Sequence, residues 1–508
     1  MNTRVQSCEL SRVTLSSWTD HFIIHPSAHL SLQYAPGLRP LTPPPHEHPI
    51  MVNTNRQHAH PLIRQTLVYT LGSAVNGGLV GVAGPSLATI SEETGLGNAA
   101  LGRVVLMNRL TKLLGTFVWT AYARRLQKGR GVPVQPRMIL ACCATLISAC
   151  AICIAKLRRS SLVLHIALAI AGLCYGVADS AMTLLTVWAF RTPTQQRFHV
   201  AMLNVGFTLG ALLTPTIVAV ALRVGSSCYV GFYALAGLAL LATPFLLTSK
   251  APPKAPPAML EPTASDGGAS GHQRGVEASR AGERPNARAG AAMIACMCAV
   301  LFCVTGAEHG LATWLPTYGH RVGNIDPAEM AFMSTGYWAM IAAGRIIWAA
   351  ISGAISSGFP ALAFDGVLML IAAALVADFD AARATTPLPG SSLLWGGTLA
   401  LGFGCSSSLP CAITLPSEAH VELTPVRMLL LNLAMSAGEM VMPFVIGLAF
   451  ERAHYHALGT SLVLLETAVT ASTAIAWRIA SAARRRHAGT DDEIELRERL
   501  VAASTEDS

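Results

Sequence analysis

The chain has 508 residues, of which 52% are hydrophobic and only 13% charged; this is too apolar for a string of water-soluble domains and fits a protein embedded in a bilayer. The formal charge of +8 does not argue for nucleic acid, because the basic residues fall in short blocks at the ends of apolar runs, where they set orientation. No phosphate-binding loop, HExxH helix or serine elbow is present, so neither ATP-driven nor enzymatic chemistry is expected.

Residues 1–63 are rich in His and Pro and read as a disordered tail. Six apolar runs follow, near 66–90, 100–122, 137–155, 161–188, 199–222 and 229–248. Each reaches the roughly 20 residues a helix needs to cross a bilayer, and helices are the element that satisfies its own backbone in lipid. In the first run Tyr69, Ser73 and Asn76 share a face; the second carries Arg109 and Lys112. In the fourth, helical spacing puts Gly172, Tyr175, Gly176, Asp179, Thr183 and Thr186 on one side, a stripe too polar for lipid. Asp179 is expected either to couple an ion or to be a structural partner of Arg109 and Lys112.

A stretch over 249–290, dense in Pro, Gly and charge, reads as a cytoplasmic linker. It separates a first six-helix bundle, 64–248, from a second, 291–482, with spans near 292–318, 331–353, 360–377, 392–415, 427–450 and 458–480. The seventh span holds Glu308 between two glycines, then Trp314 and Tyr318 on one face, which offer either a stacking platform for a sugar ring or an interfacial aromatic belt. The eighth aligns Trp338, Arg345 and Trp348, and the eleventh aligns Asn432, Ser436, Glu439 and Pro443. Residues 483–508 form a cytoplasmic tail that turns acidic at Asp491. Charges at a helix centre cost about 2.5–3.5 kcal/mol each on insertion scales, so Arg109, Asp179, Glu308, Arg345 and Glu439 are the candidates for function.

Two signatures recur across the halves. Asn204, Thr208, Gly210 and Pro215 reappear as Asn432, Ser436, Gly438 and Pro443 at a constant offset of 228 residues, and Gly115 with Trp119 as Gly344 with Trp348. Parallel repeats of several spans mark secondary transporters. The blocks from Arg124 to Arg137 and at Arg484 to Arg486 put both termini on the cytoplasmic side, although Lys156, Arg158 and Arg159 then fall on the outer side.

These motifs resemble the major facilitator superfamily, within it the branch of fucose permease-like symporters and sodium-dependent glucose transporter 1-like proteins. The likeness rests on Gly84 and Pro85, Arg109 to Gly115, Gly172 to Asp179, Glu308 to Tyr318, Trp338 to Arg345, Gly402 to Pro410, and Gly438 to Pro443; Thr183 and Lys112 depart from the branch pattern. The resemblance implies an all-α membrane protein of twelve transmembrane helices in two six-helix bundles around a central site. It implies a monomeric secondary transporter of a small hydrophilic solute, a monosaccharide first, coupled to Na+ or H+ with no other cofactor or metal. The lipid bilayer is its other partner, in a plasma membrane or an endomembrane. Asp179, Glu308 and Glu439 are expected to couple the ion, Asn76, Trp314, Tyr318, Trp338 and Arg345 to touch solute, and Arg109 to be a charge partner. Glu308, Glu439 and Arg345 are expected to cluster within the second half. The alternatives are a non-transporting receptor of the same fold, or a transporter of another solute such as an organic acid.

Overall fold

The computed structural model describes residues 54–127, 134–190, 193–249, 287–351, 357–385, 390–419, 421 and 425–506. The expected N-terminal tail lies outside them up to Thr54, and the expected linker lies outside them from 250 to 286. Twelve helices fill the described residues. They are α1 (Thr54–Thr94), α2 (Asn98–Gln127), α3 (Pro136–Lys156), α4 (Ser161–Ala189), α5 (Pro193–Arg223) and α6 (Val230–Thr248), then α7 (Ala287–Gly323), α8 (Pro327–Ile351), α9 (Phe359–Thr385), α10 (Gly390–Glu418), α11 (Pro425–Glu451) and α12 (Ala457–Glu506). α1 begins before the expected boundary at 64, and α12 runs on through most of the region assigned to the tail.

The helices form because their backbones have no other partner in lipid, and their outer faces show that environment. On α4 the exposed residues Leu162, Ile166, Ile170 and Leu173 recur at helical spacing, a stripe that water would not tolerate but acyl chains would. Among the described residues ten helices are long and apolar enough to cross a membrane; α2 and α8 fall short. These two carry Arg109 and Lys112, and Arg345, and both pack against the opposite half.

Within the first six helices α2 packs on α4, and α3 on α4 and α6; within the last six α8 packs on α10, α9 on α10 and α12, and α7 on α11 and α12. The repeated signature marks equivalent crossings. A Cβ on Gly210 of α5 would overlap the Ala74 carbonyl of α1, and a Cβ on Gly438 of α11 would overlap the Phe302 carbonyl of α7. Ala74 and Phe302 are separated by the same offset as the two glycines, so the duplication holds in packing as well as in sequence. Glycine is required at both because the backbones touch. The second echo behaves alike: Gly115 abuts the Leu173 carbonyl where α2 meets α4, and Gly344 abuts Phe403 and Ser406 where α8 meets α10.

The halves join along two seams, α2 against α11 and α5 against α8. Since α2 corresponds to α8 and α5 to α11, the seams are related by the same duplication. Their polar contacts run from mid-helix to the end where α1 gives way to α2: Ala99 N–H donates to Glu451 (3.0 Å), and Thr216 meets Thr335 (3.3 Å). Toward the other end the facing surfaces part. Along α11 Glu439 is buried, Ser436 half-buried and Asn432 exposed, and along α5 Ala211 and Thr208 are buried whereas Asn204 is exposed.

Candidate functional site

The centre of the molecule is built on a close helix crossing. Gly176 of α4 lies where a Cβ would overlap the Lys112 carbonyl, so α2 rides against α4, from which Lys112 reaches across the seam. Its Nζ donates to Glu439 Oε2 of α11 at 2.7 Å, and Arg109 Nη1 stands 3.6 Å from the same oxygen. All three side chains are buried. A buried pair of this kind repays its desolvation only with good geometry and additional partners, and the Tyr175 ring supplies one. Lys112 Nζ sits 4.6 Å from its centroid and the Arg109 guanidinium 5.9 Å, both within cation–π range.

From Tyr175 an aromatic band crosses to the other seam. Tyr175 stacks on Phe207 (centroids 6.4 Å apart), and Phe207 meets Trp338 of α8 edge-on at 6.2 Å. On that seam Arg345 Nη1 donates to Thr208 Oγ1 at 2.7 Å and lies 3.5 Å from the Asn204 carbonyl. The recurrent polar residues of α5 thus receive a cation from α8, while on α11 the added carboxylate receives cations from α2.

The sequence-based pairing is corrected in two respects. Glu439 is held by Lys112 and Arg109 of the first half rather than clustering with Arg345, which is engaged by α5. Arg109 and Lys112 are accordingly taken by Glu439, and Asp179, half-buried, has no hydrogen-bond or ion-pair partner among the described residues; its charged neighbours are Lys112 and Glu439. Periodicity identifies the face each residue occupies but not the helix opposite it.

Other expected residues separate into two groups. Glu308 is buried near Arg345, Glu439, Arg109 and Lys112, yet its carboxylate has no hydrogen-bond or ion-pair partner among the described residues. Asn76 is buried with Nδ2 unpartnered, and among the described residues the Trp338 indole meets Phe207 and Tyr337 by ring contact only. Trp314 and Tyr318 are instead packed inside the second half: Trp314 Nε1 donates to the Pro443 carbonyl at 2.7 Å against the Phe450 ring, and Tyr318 Oη donates to the Val376 carbonyl at 3.1 Å against Phe379. Both are fully buried, so neither face is open to a solute in this state.

Sequence reasoning overlooked His309. It neighbours Glu439, Arg109 and Lys112, its Nδ1 lies 3.0 Å from the Thr305 carbonyl, and its buried Nε2 has no partner. Its position beside Glu308 in mid-span was the available signal. Unused donors on Asn76 and Arg109 Nε, with acceptors at His309 Nε2 and at the carboxylates of Asp179 and Glu308, which have no hydrogen-bond partner among the described residues, give the centre both kinds of hydrogen-bonding group with which to hold a hydroxylated molecule.

The model of the Major Facilitator Superfamily matches residues 69–419. No curated protein sequence matches the chain. Solved structures with similar folds include a D-xylose-proton symporter (15% identity, 82% of this chain and 97% of that one, TM-score 0.60). They also include a bacterial homologue of the human lysosomal transporter Spinster in an inward-facing, occupied conformation (15% identity, 84% and 97%, TM-score 0.55). A third is the nucleoside transporter NupG (14% identity, 82% and 99%, TM-score 0.54). The duplicated helical halves, the seams between them and the family match together establish that the chain is a multi-pass membrane protein of the major facilitator superfamily, a secondary transporter rather than an enzyme.

Proposed function

We propose that the protein carries a small uncharged hydrophilic solute, a monosaccharide first, coupled to a cation or a proton by alternating access, as a member of the fucose permease-like branch. The observation that carries this reading is the pair of partnerless carboxylates, Asp179 and Glu308, beside a Lys112–Glu439–Arg109 group that is already satisfied. An unpaired carboxylate resists closure of a poorly hydrated site until a proton or cation neutralises it. Three central cations, Arg109, Lys112 and Arg345, face three carboxylates, Asp179, Glu308 and Glu439. Xylose-proton symport by a protein of similar fold points the same way.

Asp179 is the first choice for coupling, with Glu308 second; Asn76, Trp338 and Arg345 are the solute contacts, and Lys112, Glu439 and Arg109 hold the seam. With the basic blocks cytoplasmic, the joined end is external and this conformation faces the cytoplasm. Reconstituted vesicles with separately imposed Na+ and pH gradients, offered a panel of sugars and organic acids, test the reading. Asp179→Asn should abolish gradient-driven accumulation and leave solute exchange; concentrative uptake surviving unaltered in that variant would remove Asp179 from coupling. Binding without flux in wild-type vesicles would favour a receptor instead.

A further inference from the structure

Lys156, Arg158 and Arg159, between α3 and α4, are the basic residues that run against the charge rule by which the chain is oriented. Contact of Arg158 with Glu93 places them at the end where α1 gives way to α2, the joined end. All three are exposed, as is Leu157 among them. With Glu93 and Ser160 they line an open hollow of about 780 Å³, a size that suits a small ligand or a headgroup.

One wall of the hollow is braced. Glu93 divides its carboxylate: Oε2 accepts from Tyr229 Oη at 3.2 Å, and Oε1 lies 3.8 Å from Arg158 Nη1. The Arg158 guanidinium stands 5.2 Å from the centroid of the same Tyr229 ring, and Lys156 Nζ stands 6.0 Å from that of Tyr233. Arg158 is thus held in place, whereas Lys156 and Arg159 have no hydrogen bond or ion pair among the described residues. Glu92, exposed next to Glu93, is in no ion pair there either. Three cations against one engaged carboxylate leave the hollow positive.

The flank of the hollow is apolar. Leu157 is 54% exposed and Leu162 66%, and Leu162 begins the α4 stripe that continues through Ile166, Ile170 and Leu173. A dissolved anion would meet the cations and leave these leucines in water. A phospholipid engages both, because its phosphate stands where the acyl chains begin, the level that basic side chains and tyrosines reach from the end of a lipid-facing stripe.

We propose that Lys156, Arg158 and Arg159 form a binding site for the headgroup of an anionic phospholipid in the leaflet at the joined end. The arginine forks meet the phosphate oxygens, Lys156 adds a point charge, and the acyl chains lie along Leu157 and the α4 stripe. α3 and α4 form neither seam, and the site depends on neither the solute nor the coupling ion.

Full-length protein in phosphatidylcholine nanodiscs, with a trace of phosphatidylglycerol carrying a photoreactive group near its headgroup, tests it. Irradiation should label the segment from Leu157 to Leu162. Replacing part of the host lipid by unlabelled phosphatidylglycerol should suppress that label at least fivefold, and inorganic phosphate or glycerophosphoglycerol in the buffer should not. Lys156→Gln with Arg159→Gln should cut the label at least fivefold, whereas Lys156→Arg with Arg159→Lys should retain it. Neither residue has a protein partner to lose, and unchanged labelling near Arg124 and Arg125 at the opposite end reports a folded, inserted variant. A label that persists after the lipid replacement would belong to bulk annular lipid. Suppression by phosphate or by the deacylated headgroup would make the hollow a site for dissolved anions, and an undiminished label in the double Gln variant would remove the cations from it. Each of these three results overturns the proposal, and none touches the Asp179→Asn assay.

Discussion

The two halves share a scaffold and differ in charge. Gly210 and Gly438 make the same crossing against Ala74 and Phe302, but where the second half places Glu308, Glu439 and Glu466 the first has Val80, Ala211 and Leu238 at the same offset. The first half answers with Arg109 and Lys112. The two bundles fold alike, but at the α2–α11 seam the first contributes the cations and the second the carboxylate. Neither half can neutralise the α2–α11 seam alone. That makes their closure electrostatic as well as steric, and gives a proton or cation a lever on it.

The largest effect should follow from breaking that complementarity. Lys112→Met leaves Glu439 buried with only Arg109 at 3.6 Å, and removal of one member of a buried pair costs about 3–5 kcal/mol. Thermal unfolding of the purified protein should show a marked loss, and adding Glu439→Gln in the same chain should restore only part of it, because Arg109 then lies buried without its carboxylate. A Lys112→Met single variant as stable as wild type would mean that the pair does not hold the seam.

Much of this was legible beforehand, for identifiable reasons. Span number, the duplication and the mid-span charges all follow from hydropathy and spacing, because lipid imposes a helix and punishes an idle charge. Partner choice was not legible. Arg109, Lys112 and Glu439 stood out singly, but their meeting depends on α2 lying against α11 across the molecule, a contact separated by 327 residues. Trp314 and Tyr318 were correctly placed on one face, yet periodicity cannot say whether that face meets a cavity or a neighbouring helix, and here Pro443 and Val376 accept from them. Glu466, Asp365 and His309 obey the same rule that picked out Glu308. Glu466 stands in an aliphatic run without a motif, Asp365 lies near the start of its span beside Gly366, and His309 shares its turn with Glu308, so spacing alone does not separate them from structural polar residues.

The shared scaffold permits a sharper comparison of intermediate size. Gly210→Ala and Gly438→Ala each force a methyl group against a carbonyl oxygen, and overpacking of this sort costs about 1–3 kcal/mol. If the halves are equivalent in packing, the two losses in thermal stability should agree within experimental error. Gly237→Ala, with nothing near its added Cβ, is the control and should change stability by no more than about 1 kcal/mol, in the favourable direction set by helix propensity. A severe loss at Gly438 with none at Gly210 would show that the first-half crossing can relax and that the repeat is no longer a structural equivalence.

The smallest effect distinguishes the two seams from each other. The α2–α11 seam is ionic and buried, whereas the α5–α8 seam relies on the half-buried Arg345 donating to the neutral hydroxyl of Thr208 at 2.7 Å. Thr208→Val keeps the shape and removes the acceptor, leaving Arg345 the Asn204 carbonyl at 3.5 Å. A net loss of about 1 kcal/mol is expected, equivalent to roughly a fivefold shift in a two-state population. The fold should be retained, since Val occupies the same space and Arg345 can turn toward water on the exposed side marked by Asn204. Spin labels at Val224 and Arg321, near the joined ends of α5 and α7, should then report a larger separated population than in wild type, with the thermal transition little changed. An unaltered distance distribution would mean that the Arg345–Thr208 hydrogen bond contributes nothing to closure, and that the polar contribution to holding the halves together comes from the remaining seam contacts, the Lys112–Glu439–Arg109 group first among them.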